Sequence, residues 1–200
     1  MARTIAKDYD QKRQSILTIA AEVFAREGIA RASMNKVAQS CGISKANIYH
    51  YYDGKDALLF DILDTYLSAL SERVGAVNLA GKPNDEQLRA LVHEYLLAYE
   101  GMDHEHKIQT EGLPLLPNDL QDVLKGYQRK MVAQMSDVLD RLSHGKLGEE
   151  PGKLRDVTMS VFGMLNWYYM WQPKASAEDR AGYAATITNL VKGGLAQVLD

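Results

Sequence analysis

The 200-residue chain holds one cysteine, Cys41, so no disulfide can form within it, and a lone thiol suits a reducing compartment. No uninterrupted apolar run approaches the ~20 residues that a membrane-spanning helix needs. The opening stretch MARTIAKDYDQKRQS has no apolar segment of the kind a secretory leader carries. These absences predict a soluble protein of the cytoplasm that engages no membrane. The marks of an enzyme are also missing: there is no Gly-x-Ser-x-Gly elbow, no phosphate loop, no dinucleotide fingerprint and no Cys–His pair at a recognisable spacing. The expectation is a protein that is not an enzyme and needs no cofactor. In DHEH, His104 and His106 stand two apart with no third ligand at motif spacing, so they read as solvated loop residues and no metal is expected.

Acidic residues hold only a small excess, and the net charge of -3 excludes no partner by itself. Its distribution says more. Residues 1–60 carry nine Lys/Arg against six Asp/Glu, a balance of +3, which leaves -6 on the remainder. That describes a mildly basic head on an acidic body. Hydrophobic residues make up 46% of the chain, enough for a sizeable core.

No strand-like alternation is long enough to specify a sheet, and no internal repeat is present. Helical spacing recurs instead, and the predicted fold is all-α. Ile16, Ile19, Ala20, Val23 and Phe24 share one face of a first helix over 12–28, which Gly28 closes. Ser33 can cap a short helix carrying Met34, Val37 and Ala38, and Gly42 breaks it. Ser44 can cap a second short helix, 44–51, and Asp53 a long one, 53–75, bearing Leu58, Leu59, Ile62, Leu63, Tyr66, Leu67 and Leu70. The loop NLAGKPND, 78–85, separates this head from a larger body. Body helices are predicted near 85–100, 117–143, 153–171 and 177–198, with EGLPLLPND and HGKLGEEPG as irregular breaks.

Two short helices joined by a tight glycine turn describe a helix-turn-helix. Ala38 is small where the pair must cross, Gly42 admits a left-handed turn, and Val37, Ile43 and Ile48 lock the angle. The second helix would enter the major groove N-terminus first. Ser44, Lys45, Asn47, Tyr49, His50 and Tyr51 can donate to phosphates or base edges, while Ser33 and Lys55 sit at helix N-termini, which attract phosphate. With Met34, Lys36 and Ala46 they form the expected DNA-contacting set. Tyr52, four residues after Ile48, is expected to pack inward, and Cys41 to act as a small apolar residue beside the turn.

The stretch ASMNKVAQSCGISKANIYHYYDGKDALL, with Gly28 ahead of it, resembles the N-terminal domain of the TetR family of bacterial transcriptional repressors over roughly residues 10–65. The matching positions are Gly28, Val37-Ala38, Gly42-Ile43-Ser44-Lys45, Ile48-Tyr49, Tyr51-Tyr52 and Lys55-Leu58-Leu59. Cys41, where the family usually has alanine, and Tyr52, where it often has phenylalanine, depart from the pattern. The resemblance implies about nine helices: a helix-turn-helix domain over 1–52 and a ligand-binding and dimerisation domain over 53–200, joined through helix 53–75. It further implies a homodimer formed by the last two helices, a palindromic double-stranded operator, and release of the DNA by a small-molecule effector.

On the last helix Tyr183, Ile187, Leu190, Val191, Leu195 and Val198 form a stripe, and Gly193-Gly194 would allow close approach of a partner. Val157, Val161, Met164 and Leu165 supply a matching surface on the helix before it. FGMLNWYYMWQP, 162–173, places Trp167 and Trp171 one turn apart on a common face, with Asn166 as a polar group that needs a partner if buried. Two readings stand: aromatics of a dimer interface, or the wall of an effector pocket. This Leu-Asn-Trp…Trp-x-Pro pattern is similar to a TetR subgroup that responds to acyl-CoA thioesters. Arg129, beside Lys125 and Lys130, could take the phosphates, and Tyr95, Tyr99, Tyr127, Met131 and Met135 could line an apolar cavity or simply form core. The expected effector set is Tyr95, Tyr99, Tyr127, Arg129, Met131, Asn166, Trp167 and Trp171. The alternative is a multidrug-sensing repressor of an efflux gene, for which Glu100, Asp103 and Glu111 would face a cationic drug.

Overall fold

A computed structural model describes residues 2–199, with side chains from Tyr9 onward. The described chain is all-α: nine α-helices, a single-turn 3-10 helix and no strand. The helices are α1 (Ala2–Glu27), α2 (Met34–Ser40), α3 (Lys45–Tyr51), α4 (Lys55–Gly75), α5 (Asn84–Ala98), α6 (Asp103–Gly112), α7 (Asn118–Leu142), α8 (Pro151–Trp171) and α9 (Ala177–Leu199). The 3-10 turn, Leu113–Leu115, follows α6. The helices form two compact units, one of residues 1–68 and 102–125, the other of 69–101 and 126–200.

The first unit is built on α1, whose Ile16, Leu17, Ala20 and Phe24 are buried and whose α2 and α6 contacts cover it. Helix α6 corrects the reading of DHEH as loop. Asp103 and Glu105 lie in its first turn, where acidic side chains suit the positive helix end. His104 is exposed, whereas His106 is half-buried and its Nδ1 hydrogen-bonds the Tyr66 hydroxyl of α4 at 2.9 Å. Lys107 donates to Ala25 O of α1 at 2.8 Å, and Ile108 is buried. Gly112 ends α6 so close to the α1–α2 connection and to α4 that a Cβ there would meet Ile29 Cδ1 at 2.9 Å and Leu59 Cδ1 at 3.1 Å. Helix α1 also begins ten residues before the predicted start at residue 12.

In the second unit α5 is the central helix. Its Leu88, Leu91, Val92, Tyr95 and Leu96 are all buried, and it packs against α8 and α9. Arg180 of α9 is 7% exposed; its Nη1 donates to Leu96 O at 2.7 Å, and its guanidinium lies 5.8 Å from the Tyr168 ring centre. Leu96 is in the last turn of α5, where carbonyls have no helical partner and a cation meets the negative helix end. Arg180→Met keeps the apolar stem but leaves that carbonyl unpaired. The expected loss is about 2 kcal/mol of unfolding free energy, checked by urea titration of both proteins.

Candidate nucleic-acid interface and effector region

Helices α2 and α3 meet as the spacing predicts. Ser33 Oγ caps α2 by accepting the Lys36 N–H at 3.2 Å, and Ser44 Oγ caps α3 by accepting the Asn47 N–H at 3.1 Å. Between them Gly42 takes φ +67°, a left-handed conformation that a Cβ penalises, and the Ile43 N–H returns to Ala38 O at 3.0 Å. Val37, Ala38 and Ile48 close the angle from inside. Ile48 is the one buried residue of α3. Lys45, Ala46, Asn47, Tyr49 and His50 are exposed, and Lys45 Nζ sits 6.0 Å from the centre of the Tyr49 ring. A seven-residue helix thus presents cation, amide, phenol and imidazole outward from a single apolar anchor.

Other members of the expected set are placed differently. Met34 is 6% exposed, so its side chain packs in the core at the first turn of α2 and does not face outward. Lys55 Nζ donates to three carbonyls of the α1–α2 connection: Ile29 O at 2.9 Å, Ala30 O at 3.3 Å and Ala32 O at 3.4 Å. That ammonium, with its three protons so directed, holds the connection to the start of α4. Lys36 is half-buried with Nζ 4.0 Å from Glu27 Oε1. Tyr51 is half-buried beneath two rings: Tyr9 stacks on it at 4.9 Å and 22°, and His50 meets it edge-on at 5.9 Å. Tyr52 is buried, as its spacing from Ile48 predicts, and its hydroxyl donates to Asp61 Oδ2 at 2.6 Å. Burial and that bond push the hydroxyl's pKa well above the usual phenol value. Arg13 Nε donates to the same Asp61 oxygen at 3.0 Å, and its Nη2 pairs with Asp61 Oδ1. Cys41 is half-buried, and burial raises its thiol pKa, the opposite of an activated thiolate.

The expected effector residues separate into two groups. Tyr95, Tyr99 and Met131 are buried together in the second unit. The Tyr95 ring meets those of Tyr99 and Phe162 edge-on at 6.1 and 5.5 Å. Asn166 is exposed rather than buried, and its Oδ1 accepts the hydroxyl of buried Tyr99 at 2.9 Å. Tyr127 is half-buried and Arg129 exposed, both on α7. Trp167 and Trp171 face outward at 62% and 53% exposure. Trp171 nevertheless packs edge-on against Tyr168 and Tyr183, whose rings stack on each other at 4.5 Å. Met159 and Met170 extend the outward apolar face of α8, and Leu190 and Val198 that of α9. A groove of about 290 Å³ is lined by Val157 and Met164 of α8 with Leu190, Val191, Gly194 and Val198 of α9. Leu195 also borders the groove, whereas Val161, Leu165 and Ile187 of the predicted stripes turn inward instead.

Residues 16–62 match the family described as bacterial regulatory proteins, tetR family. Residues 81–195, more than half of the chain, match the tetracyclin repressor-like C-terminal domain. The chain belongs to the TetR family. It is 23% identical to the HTH-type transcriptional repressor KstR2 of Rhodococcus jostii over 94% of this chain and 90% of that protein. A likeness to the uncharacterized HTH-type transcriptional regulator YerO of Bacillus subtilis, 30% identical, spans 40% of this chain and 28% of YerO. Among solved structures, a TetR-family transcriptional regulator from Bordetella parapertussis superposes with a TM-score of 0.81 at 30% identity, covering 90% of this chain and 93% of that one. AibR, solved in complex with isovaleryl coenzyme A and operator DNA, superposes with a TM-score of 0.72 at 24% identity over 88% of this chain and 97% of its own, a likeness of fold. This TetR-family chain is therefore a transcriptional regulator with an N-terminal helix-turn-helix and a C-terminal helical domain. No described helix is long and apolar enough to cross a membrane.

Proposed function

We propose that this TetR-family protein is a ligand-responsive repressor that binds a palindromic operator as a homodimer and is released by an acyl-CoA thioester of fatty-acid or aromatic-acid degradation. The observation that carries the DNA reading is the outward face of α3, where Lys45, Ala46, Asn47, Tyr49 and His50 are all exposed around one buried anchor. Such a face suits base edges and phosphates and serves no core. Ser33, Ser44 and Lys36 supply further donors at its border, and Tyr51 contributes its hydroxyl.

The effector reading rests on chemistry within the second unit. Tyr95, Tyr99, Met131 and Phe162 form a buried apolar cluster beside one polar pair, Tyr99–Asn166, that could hold a thioester carbonyl. Arg129 and Lys130, exposed on α7, suit the phosphates of a coenzyme A. Two relatives lean the same way: AibR was solved with isovaleryl coenzyme A, and KstR2 of Mycobacterium tuberculosis is a ketosteroid transcriptional regulator. Trp167 and Trp171 are assigned to the dimer face rather than to the effector, because each is more than half exposed on a single subunit.

The test is fluorescence anisotropy of labelled intergenic DNA from upstream of the gene, titrated with purified protein and then with acyl-CoAs and their free acids. Release by a thioester and not by its acid supports the reading, and the best acyl chain identifies the pathway class. Tight DNA binding that no thioester disturbs overturns the acyl-CoA assignment and returns the search to cationic drugs. In the acyl-CoA case Arg129→Glu abolishes release while DNA binding persists.

A further inference from the structure

The described part of α1 does more than pack. Its first buried core residue is Ile16, yet Tyr9 and Arg13 stand seven and three residues ahead of it, one turn apart on a common face. Both reach the C-terminal end of α3. Tyr9 stacks directly on Tyr51 at 4.9 Å. Arg13 reaches Tyr52 through Asp61, whose Oδ2 accepts from both Arg13 Nε at 3.0 Å and the Tyr52 hydroxyl at 2.6 Å. Two adjacent tyrosines at the end of a seven-residue helix are thus each held from α1, one by a ring and one by a carboxylate relay.

A helix of two turns has little stability of its own, so its orientation depends on what surrounds it. The N-terminal end of α3 is fixed by the Ser44 cap and the Gly42 turn, and its middle by Ile48. The C-terminal end has the Tyr51 and Tyr52 contacts. Tyr52 and Asp61 are shielded and tie the helix to the body of its unit. Tyr9 is 42% exposed and contributes nothing to the core, so the consequence of its stack is the placement of Tyr51 itself.

Resting on the operator-binding reading above, we propose that Tyr9 is a positioning residue for DNA recognition: its ring fixes that of Tyr51 so that the Tyr51 hydroxyl meets a backbone phosphate of the operator. The arrangement extends the recognition machinery to a helix outside the helix-turn-helix pair, without requiring Tyr9 to touch DNA.

The experiment is a double-mutant cycle on operator affinity, using anisotropy on the same labelled DNA. Tyr51→Phe keeps the stack and removes the hydroxyl; Tyr9→Ala removes the stack and keeps the hydroxyl. Each is expected to weaken binding about tenfold, and the double variant to bind no more weakly than the poorer single one, because both abolish the same contact. Tyr9→Phe, which preserves the ring, restores wild-type affinity. Circular dichroism melts of Tyr9→Ala and Tyr9→Phe separate a folding defect from lost positioning. Effects that multiply in the double variant overturn the proposal, as does wild-type affinity in Tyr9→Ala. A wild-type protein that binds no upstream DNA overturns the operator reading together with this one.

Discussion

Replacing Lys45 and Tyr49 together by alanine is expected to weaken operator binding at least about 30-fold while leaving the melting temperature nearly unchanged. Both side chains are exposed, and neither forms part of the core. Surface substitutions of this kind shift folding free energy by only about 0.5 kcal/mol. Their contribution to DNA binding is larger, because a base or phosphate contact from a recognition helix is worth about 1–3 kcal/mol. Two such losses amount to about 2–6 kcal/mol, roughly 30-fold to 10⁴-fold in affinity at tenfold for every ~1.4 kcal/mol. The Lys45 ammonium, 6.0 Å from the Tyr49 ring centre, suits a joint contact in which the ring orients the cation. Removing one phosphate-bound cation also flattens the dependence of log affinity on log salt by about one. Anisotropy titrations at three salt concentrations measure both quantities. Unchanged affinity and slope in the double variant would sink the assignment of α3 as the recognition helix.

Much of this region was legible because its determinants are local. Ser33 and Ser44 cap helices by hydroxyl contacts three residues along the chain, and Gly42 supplies a turn conformation that its own backbone demands. The long helices show wide apolar stripes, so their existence follows from periodicity alone. Helix α6 does not. DHEHKIQTEG has no side-chain cap, and Ile108 is its one large buried apolar residue. It is held by contacts across 40 and 82 residues of sequence, His106 with Tyr66 and Lys107 with Ala25 O, which no periodicity can reveal. Lys55 and Met34 show the same limit. A cation at a helix N-terminus suits a phosphate on sequence grounds, but three carbonyls of the α1–α2 connection face that ammonium in the fold. Tyr9 was invisible for a related reason: nothing in the sequence pairs residue 9 with residue 51.

The outward faces of α8 and α9 also resisted reading, since both helices carry apolar residues on more than one side. Val161, Leu165 and Ile187 are buried in their own core, whereas Trp167, Met170, Trp171 and Leu190 each remain more than half exposed. A soluble monomer rarely leaves so many large apolar groups on neighbouring helices. The glycines sharpen the point. Gly163, Gly193 and Gly194 each lie within a helix, where glycine costs about 1 kcal/mol relative to alanine. A Cβ at any of the three would meet nothing within 4 Å in the subunit, so packing within the subunit does not require them. Close approach of a second copy, as in the proposed homodimer, would supply that reason. Leu190→Glu, at a position 61% exposed on the isolated chain, is therefore expected to leave the fold intact and abolish the dimer. Pairing the same face across a two-fold axis would bury a carboxylate from each subunit beside apolar rings without a cationic partner. Sedimentation should show the wild type at about twice the 22.3 kDa chain mass and the variant at one chain mass. Operator affinity should fall at least 100-fold as well, since a monomer reaches one half-site and loses the effective concentration that links it to the other. A Leu190→Glu protein that stays dimeric, or a wild type that sediments as a monomer at micromolar concentration, would require a different occupant for this face.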